Sequence, residues 1–139
     1  MSLSIRNQLP GTVTSVTPGE VMATVKVRLD AGQEITAAVT LEAVSELGLT
    51  SGSTVRALVK ATEVSLATAP VTGVSIRNQL PGTVTDVASG GAMARVKIQI
   101  AGGELTSAIT KDAVTELGLT AGSEVVALIK STEVSLSNA

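Results

Sequence analysis

The sequence predicts an all-β protein that consists of two similar five-stranded barrels in tandem, each with one short helix. The chain repeats itself, because the residues from Ser4 to Thr14 recur unchanged from Ser75 to Thr85. Within each copy, apolar and polar residues alternate with a period of two, which is typical of half-buried strands. Gly and Pro residues separate these stretches and favour turns between them. Since an internal repeat indicates one structural unit made twice, the function is expected to belong to a single unit.

The two copies define the expected domain organisation. They are offset by 71 residues at the start and by 70 further on, so one residue is missing from the second copy. We expect one domain over residues 1–67, a linker over 68–73 and a second domain over 74–139. Pro70 should keep the linker semi-extended. Each domain has about 65 residues, which is near the lower limit for independent folding.

The first two strands of each copy are predicted to form a hairpin. The first strand runs through the Arg-Asn motif and past Gly11 to about Val16. A glycine in the middle of a strand usually marks a bulge or a sharp bend, which a small barrel needs. Pro18-Gly19 supplies the turn, and the alternation over 23–29 and again over 94–100 predicts the second strand.

The remaining elements follow in the same order in both copies. Thr40 and Thr110 are expected to cap a short helix, and Gly48 and Gly118 are expected to end it in the left-handed conformation. The third, fourth and fifth strands are predicted over 34–39, 55–60 and 63–66 in the first copy and over 104–109, 125–130 and 133–136 in the second. Three strands, one helix and two further strands is the order of an OB-like, five-stranded β-barrel.

The interior of such a unit is expected to be small. The chain has no Phe, Tyr or Trp, so Val, Leu, Ile and Ala must fill the core, and each buries less area than an aromatic ring. We expect Met22 and Met93 to fill gaps in this core. With no Cys and no His, neither disulfide bonds nor zinc can supplement it. Burial against further copies of the chain is the remaining means of stabilisation, so we expect an obligate oligomer.

Composition also narrows the chemistry. Without His or Cys there is no imidazole base, no thiolate nucleophile and no soft-metal site, which argues against an enzyme. Without aromatic residues there is no stacking platform for single-stranded nucleic acid, and a net charge of −2 gives no general attraction to duplexes. The sequence has no apolar run of membrane-spanning length and no signal-like N-terminal segment. We therefore expect a cytoplasmic protein with no nucleic-acid or membrane partner.

Two polar clusters on this apolar background form the candidate site. One is the Ser-x-Arg-Asn motif, which brings a hydroxyl, five guanidinium N–H donors and an amide. The other is Lys-x-Thr, at a break between strands where backbone N–H groups can bind anions. Convergent donors with positive charge suit an oxyanion. The members are Ser4, Arg6, Asn7, Lys60, Ala61 and Thr62 in the first copy and Ser75, Arg77, Asn78, Lys130, Ser131 and Thr132 in the second.

Simpler interpretations of these residues remain open. An Arg on a strand is usually solvated or paired with a nearby carboxylate, here that of Glu63, and a Lys at a strand end usually discourages edge pairing. The copies have nevertheless diverged at other charged positions, where Arg28 is replaced by Gln99 and Arg56 by Val126. The Arg and Lys residues of the two clusters are unchanged, which favours a shared role.

The clusters are part of a longer pattern that resembles the molybdopterin-binding-protein (Mop) domain. The pattern comprises Ser-x-Arg-Asn-Gln-Leu-x-Gly at the start, Leu-Gly-Leu-x-x-Gly after the helix and Lys-x-Thr-Glu-Val at the end. Two such domains in tandem are similar to the di-Mop molbindins, which are cytoplasmic molybdate-binding proteins. The resemblance implies an OB-like barrel, a trimer of this two-domain chain, and molybdate or tungstate held between domains as an intracellular store.

For the individual residues, the resemblance implies that the Ser-x-Arg-Asn cluster of one domain lines a site with the Lys-x-Thr cluster of another. The metal would be bound only as its oxyanion, with no further cofactor. A second class of site near the threefold axis is not placed by the sequence. Ala61 lacks the hydroxyl of Ser131, so the two sites need not be equal unless a backbone N–H makes that contact. The alternative function is an OB-fold sensor or adaptor module that acts through a protein or nucleic-acid partner.

Overall fold

The computed structural model describes residues 2–139, which form ten β-strands, two α-helices and two 3₁₀ turns. The first copy comprises β1 (Asn7–Pro18), β2 (Met22–Leu29), β3 (Glu34–Thr40), α1 (Leu41–Leu47), β4 (Thr54–Val59) and β5 (Ser65–Ala67). The second comprises β6 (Asn78–Ser89), β7 (Met93–Ile100), β8 (Gly103–Thr110), α2 (Lys111–Leu117), β9 (Glu124–Ile129) and β10 (Ser135–Asn138). The 3₁₀ turns, Ala61–Glu63 and Ser131–Glu133, follow β4 and β9. The predicted all-β class with one short helix per copy is confirmed.

The two five-stranded sheets exchange their last strands. One sheet has the order β10-β4-β1-β2-β3 and the other has the order β5-β9-β6-β7-β8. β5 therefore leaves the first copy to pair with β9, and β10 returns to pair with β4. The 3₁₀ turns redirect the chain at Glu63 and Glu133, where the sequence pattern predicted the fifth strands to begin. Each sheet is thus completed by a strand from the other copy, so the two copies form a single interlocked body.

Apolar side chains from alternate strand positions fill the interior. On β2, the odd-numbered residues from Ala23 to Leu29 are buried and the even-numbered residues are exposed, as predicted. Val64 and Val134, which follow the two 3₁₀ turns, are buried as well. Ser107 Oγ on β8 donates a hydrogen bond of 2.6 Å to the Val64 carbonyl, so the crossing segment is also bonded to the other copy. The exchange is therefore anchored in the core.

The two methionines lie outside this core. Met22 is 44% exposed and Met93 is 48% exposed, so the prediction that they fill gaps in the core is wrong. The reason is the parity of the strand, because Met22 is the first residue of β2 and shares the outward face with the even-numbered residues. Val21, in the preceding turn, is 71% exposed. An apolar surface therefore lies at the start of β2.

The helix boundaries agree with the sequence. Thr40 Oγ1 accepts a hydrogen bond from the backbone N–H of Ala43, which caps the first turn of α1. Gly48 has a φ of 62°, in the left-handed region that favours glycine, and its N–H closes the end of the helix. The second copy repeats both features at Thr110 and Gly118. No helix within residues 2–139 is long and apolar enough to cross a bilayer.

The mid-strand glycines lie where β1 and β6 change partners. Gly11 faces Val55 on β4 and Leu29 on β2, so two strands approach it at once. The register irregularity itself lies slightly further along, between Val13 and Ser15. A Cβ at Gly11 would lie 2.7 Å from the Arg28 carbonyl oxygen, too close for any side chain. The glycine therefore permits a close approach of strands rather than an unusual backbone angle.

We expect Gly82→Ala to lower the free energy of unfolding by about 1–3 kcal/mol. The added Cβ would lie 2.6 Å from Ile98 Cγ2 and 2.7 Å from the Gln99 carbonyl oxygen, and that backbone oxygen cannot move aside cheaply. Urea unfolding would measure the change. Gly91→Ala is the matched control, because a Cβ there meets nothing within 4 Å. The control should be neutral or slightly stabilising, since alanine restricts the unfolded chain. Equal effects at the two positions would contradict the packing argument.

Candidate oxyanion-binding site

The second 3₁₀ turn packs against β3 of the first copy, and a groove opens between them. Its volume is about 600 Å³. The residues of the two predicted clusters that line it are Ser75, Arg77, Lys130, Ser131 and Thr132. The opposite wall is supplied by Thr24, Lys26 and Thr36, on β2 and β3. This groove, called the Ser131 groove below, is therefore built from both copies within one chain.

The residues lining the Ser131 groove carry three positive charges and no negative charge. Arg77, Lys130 and Lys26 are the cations, and the remaining polar groups are hydroxyls of Ser and Thr. The nearest ion pair joins Lys26 Nζ to Glu34 Oε1 at 4.0 Å, and both side chains are more than half exposed. Within residues 2–139, neither Arg77 nor Lys130 forms an ion pair. The pairing of Arg6 with Glu63 that the sequence left open is likewise not formed in that range.

The guanidinium group of Arg77 is held by the chain that precedes it. Its Nε donates to the Ser75 carbonyl at 3.2 Å and its Nη2 donates to the Val74 carbonyl at 3.0 Å. A guanidinium group has five N–H donors, so three remain for another acceptor. Arg6 makes the same two bonds, to the carbonyls of Ser4 and Leu3. Both arginine side chains are exposed, and these hydrogen bonds fix their orientation.

Ser131 presents a hydroxyl that the described part of the chain does not satisfy. Its Oγ is buried and has no hydrogen-bond partner, although the residue lines the groove. A buried polar atom without a hydrogen-bond partner lowers the stability of the fold by roughly 1–3 kcal/mol. Such atoms are therefore rare, and many of them bind a ligand, an ion or water. A ligand oxygen in the groove would supply the missing acceptor.

The two asparagines of the predicted clusters join the two copies. Asn78 is 3% exposed, its Nδ2 donates to the Thr36 carbonyl at 2.8 Å, and its Oδ1 accepts from the Thr36 N–H at 2.7 Å. Asn7 is 2% exposed and makes the same pair of bonds with Thr106, at 2.9 and 2.8 Å. Asn78 is not among the residues that line the groove. Each amide still has a second N–H, so a contact with the anion remains a prediction.

The repeat provides an equivalent set of residues around the first 3₁₀ turn. The first 3₁₀ turn packs against β8, as the second packs against β3. By the offset of the repeat, the residues that correspond to those of the Ser131 groove are Ser4, Arg6, Lys60, Ala61 and Thr62, together with Arg95, Lys97 and Thr106 on β7 and β8. The site that they would form is called the counterpart groove. Arg95 and Lys97 are ion-paired here, with Asp86 at 3.3 Å and with Glu104 at 3.6 Å.

Sequence reasoning missed the wall contributed by β2 and β3. Thr24 and Lys26 occupy the exposed positions of an alternating strand, where a polar residue normally needs no explanation. Only the exchange of strands brings them opposite Arg77 and Lys130. A second cavity, of about 460 Å³, lies beside the linker, and its lining residues include Glu124 but neither Lys nor Arg. It suits an anion far less well. The described residues contain no cluster of acidic side chains that could hold a metal cation.

Comparison with known proteins supports the tandem organisation. The family model described as the TOBE domain matches residues 3–66 and again residues 74–136. The molybdenum transport protein ModE of Azotobacter vinelandii is 39% identical over 137 residues, which is 98% of this chain and 51% of that protein. The molybdenum-pterin-binding protein MopB of Rhodobacter capsulatus is 39% identical over 135 residues, 96% of this chain and 50% of that protein. The chain thus spans about half the length of the curated relatives it matches.

One solved structure matches over its full length. It is a crystal structure of the cytoplasmic molybdate-binding protein ModG with molybdate bound. Its sequence is 41% identical, the TM-score is 0.97, and the match covers 100% of both chains. The fold described above, with its two five-stranded sheets, is therefore that of a known tandem protein.

Proposed function

The chain belongs to the TOBE-domain family as a tandem pair of Mop-type domains, and we propose that it binds molybdate or tungstate in grooves between its two copies. The observation that carries this proposal is the Ser131 groove, where three cations and several hydroxyl groups converge without a carboxylate. A tetrahedral dianion needs such a set of donors, and a cation or a neutral ligand does not. The solved relative that covers the whole chain contains molybdate.

Binding would consist of charge-assisted hydrogen bonds to the oxygens of the anion. Arg77 is already oriented by Ser75 and Val74, so little side-chain entropy is lost when its remaining N–H groups meet an oxygen. Lys130 contributes charge, and Ser131 contributes a hydroxyl that has no other partner. No carboxylate, imidazole or thiolate lines the Ser131 groove, so the metal would be held there only as its oxyanion. No catalytic step is required.

The proposed sites are those of the two predicted clusters. The first comprises Ser4, Arg6, Asn7, Lys60, Ala61 and Thr62, and the second comprises Ser75, Arg77, Asn78, Lys130, Ser131 and Thr132. The second set is supported by the groove that five of its members line. The first set is supported by the repeat and by the identical bonds of its arginine and asparagine.

We further propose that the protein is a trimer that stores molybdate in the cytoplasm. Two apolar side chains, Val21 (71% exposed) and Met93 (48% exposed), could be buried at an interface between chains. The interior contains no aromatic residue, so burial between chains would add stability that a single chain lacks. A dianion bound between the two copies of one chain would also stabilise the folded chain by mass action.

We expect molybdate to bind the native protein and to raise its thermal midpoint. At a free concentration 100 times Kd, the gain in the free energy of unfolding would be about 2.7 kcal/mol per site. Titration calorimetry, repeated in excess sulfate, would measure affinity and selectivity, and light scattering would give the mass of the assembly. If saturating molybdate produced neither heat nor a thermal shift, the proposal would fail and the adaptor interpretation would take its place.

A further inference from the structure

We propose that the two grooves differ in affinity, with the Ser131 groove binding the dianion more tightly and filling first, and that Lys26 is a further anion-binding residue in it. The inference rests on the proposed function, since it concerns the same class of ligand. It goes beyond the motif, because the sequence clusters are nearly identical in the two copies and do not include Lys26.

The first difference between the grooves is one hydroxyl group. Ser131 Oγ is buried in the Ser131 groove without a hydrogen-bond partner, whereas its counterpart Ala61 has no hydroxyl to offer. No described protein group accepts from Ser131 Oγ, so an anion that does so gains a hydrogen bond that the Ala61 turn cannot make. The backbone N–H groups are common to both turns and cannot distinguish them.

The second difference is the state of the cations on the opposite wall. Lys26 Nζ lies 4.0 Å from Glu34 Oε1, at the limit of an ion pair, and both side chains are exposed. Such a pair contributes little, so an incoming dianion can recruit the ammonium group. In the counterpart groove, Lys97 lies closer to its carboxylate, 3.6 Å from Glu104. Lys26 is thus the more available of the two lysines.

The copies have also diverged at the neighbouring position of the same wall. Arg95 replaces Thr24, but the guanidinium group of Arg95 is hydrogen-bonded to Asp86 Oδ2 at 3.3 Å. Asp86 itself replaces Ser15. The counterpart groove therefore gains one positive and one negative charge together, and the carboxylate competes with the anion for the added cation. The Ser131 groove keeps Lys26 beside a neutral threonine, with no acid added.

Titration calorimetry with molybdate would test this on the full chain, with the native protein, Ser131→Ala, Ala61→Ser and the double exchange. The native protein should show two classes of site whose Kd values differ roughly 10-fold or more, the effect of one hydrogen bond to a charged group. Ser131→Ala should weaken the tighter class by a similar factor and bring the two Kd values to within several-fold of each other. Ala61→Ser should tighten the weaker class, and the exchange should restore two classes.

Lys26→Met and Lys97→Met form a matched pair that tests the lysine separately. Lys26→Met should weaken the tighter class several-fold and leave the weaker class unchanged, whereas Lys97→Met should have a smaller effect on the weaker class. Thermal unfolding would confirm that each variant is folded. One class of site in the native protein, unchanged by Ser131→Ala and Lys26→Met, would overturn the inference and leave the proposed function standing. An absence of binding in the native protein would instead overturn both.

Discussion

Replacing Arg77 and Lys130 together by alanine is expected to weaken molybdate binding in the Ser131 groove by roughly 10²- to 10⁴-fold. Each side chain offers a hydrogen bond to a charged ligand, which is worth about 1.5–3 kcal/mol. The two act on the same anion, so the sum is an upper bound rather than a strict total. Neither residue forms an ion pair within residues 2–139, so their removal leaves no carboxylate behind unpaired. The protein should therefore stay folded.

Titration calorimetry should show the loss of one strong site per chain, while the counterpart groove, with Arg6 and Lys60 intact, serves as an internal reference. Arg28→Ala with Arg56→Ala is the matched control, because it removes the same charge from exposed residues that do not line the groove. A comparable loss in this control would mean that the net charge of the protein, rather than the groove, attracts the anion. If the Arg77 and Lys130 variant bound molybdate with the affinity of the native protein, both would be ordinary surface residues with no role in the site.

Much of the fold follows from local rules that the sequence displays. The alternation on β2, the threonine caps and the left-handed glycines each depend on a few neighbouring residues, and each was predicted at the right position. The prediction for Met22 was wrong because it followed the apolar character of the side chain, whereas the alternation of β2 places residue 22 on the outward face with Thr24 and Lys26. The strand pattern is thus a better guide to burial than the residue type alone.

The exchange of strands could not be predicted, because the two possible pairings are chemically alike. Leu66 lies opposite Ala127 in one sheet, and Leu136 lies opposite Ala57 in the other. If each strand returned to its own copy, a leucine would again face an alanine. Lys26 was missed for the same reason, since its place in the site depends on which copy supplies each wall. When two copies are nearly identical, the sequence does not indicate whether an element pairs within its own copy or with the other copy.

The largest effect on stability is expected from Asn7→Leu combined with Asn78→Leu. Leucine is similar in size, but it would leave the N–H and C=O groups of Thr36 and of Thr106 without their partners. Each unpaired group costs about 1–3 kcal/mol when it is shielded from water, so each substitution should cost about 2–6 kcal/mol. The free energy of unfolding of a small protein is about 5–15 kcal/mol in total. The double variant should therefore be close to unfolding at room temperature.

Urea unfolding of the two single variants would measure the cost, with Asn138→Leu as the control, because Asn138 is exposed near the end of β10. A change within about 0.5 kcal/mol for Asn78→Leu, the usual range for surface positions, would contradict the structural role. The folded single variants also separate the two possible roles of the asparagine. If Asn78 only joins the copies, the folded protein should keep its affinity for molybdate within a few-fold, because Arg77 and the 3₁₀ turn still line the groove. If its second N–H binds the anion, affinity should fall roughly 10-fold or more while the Arg77 contacts persist.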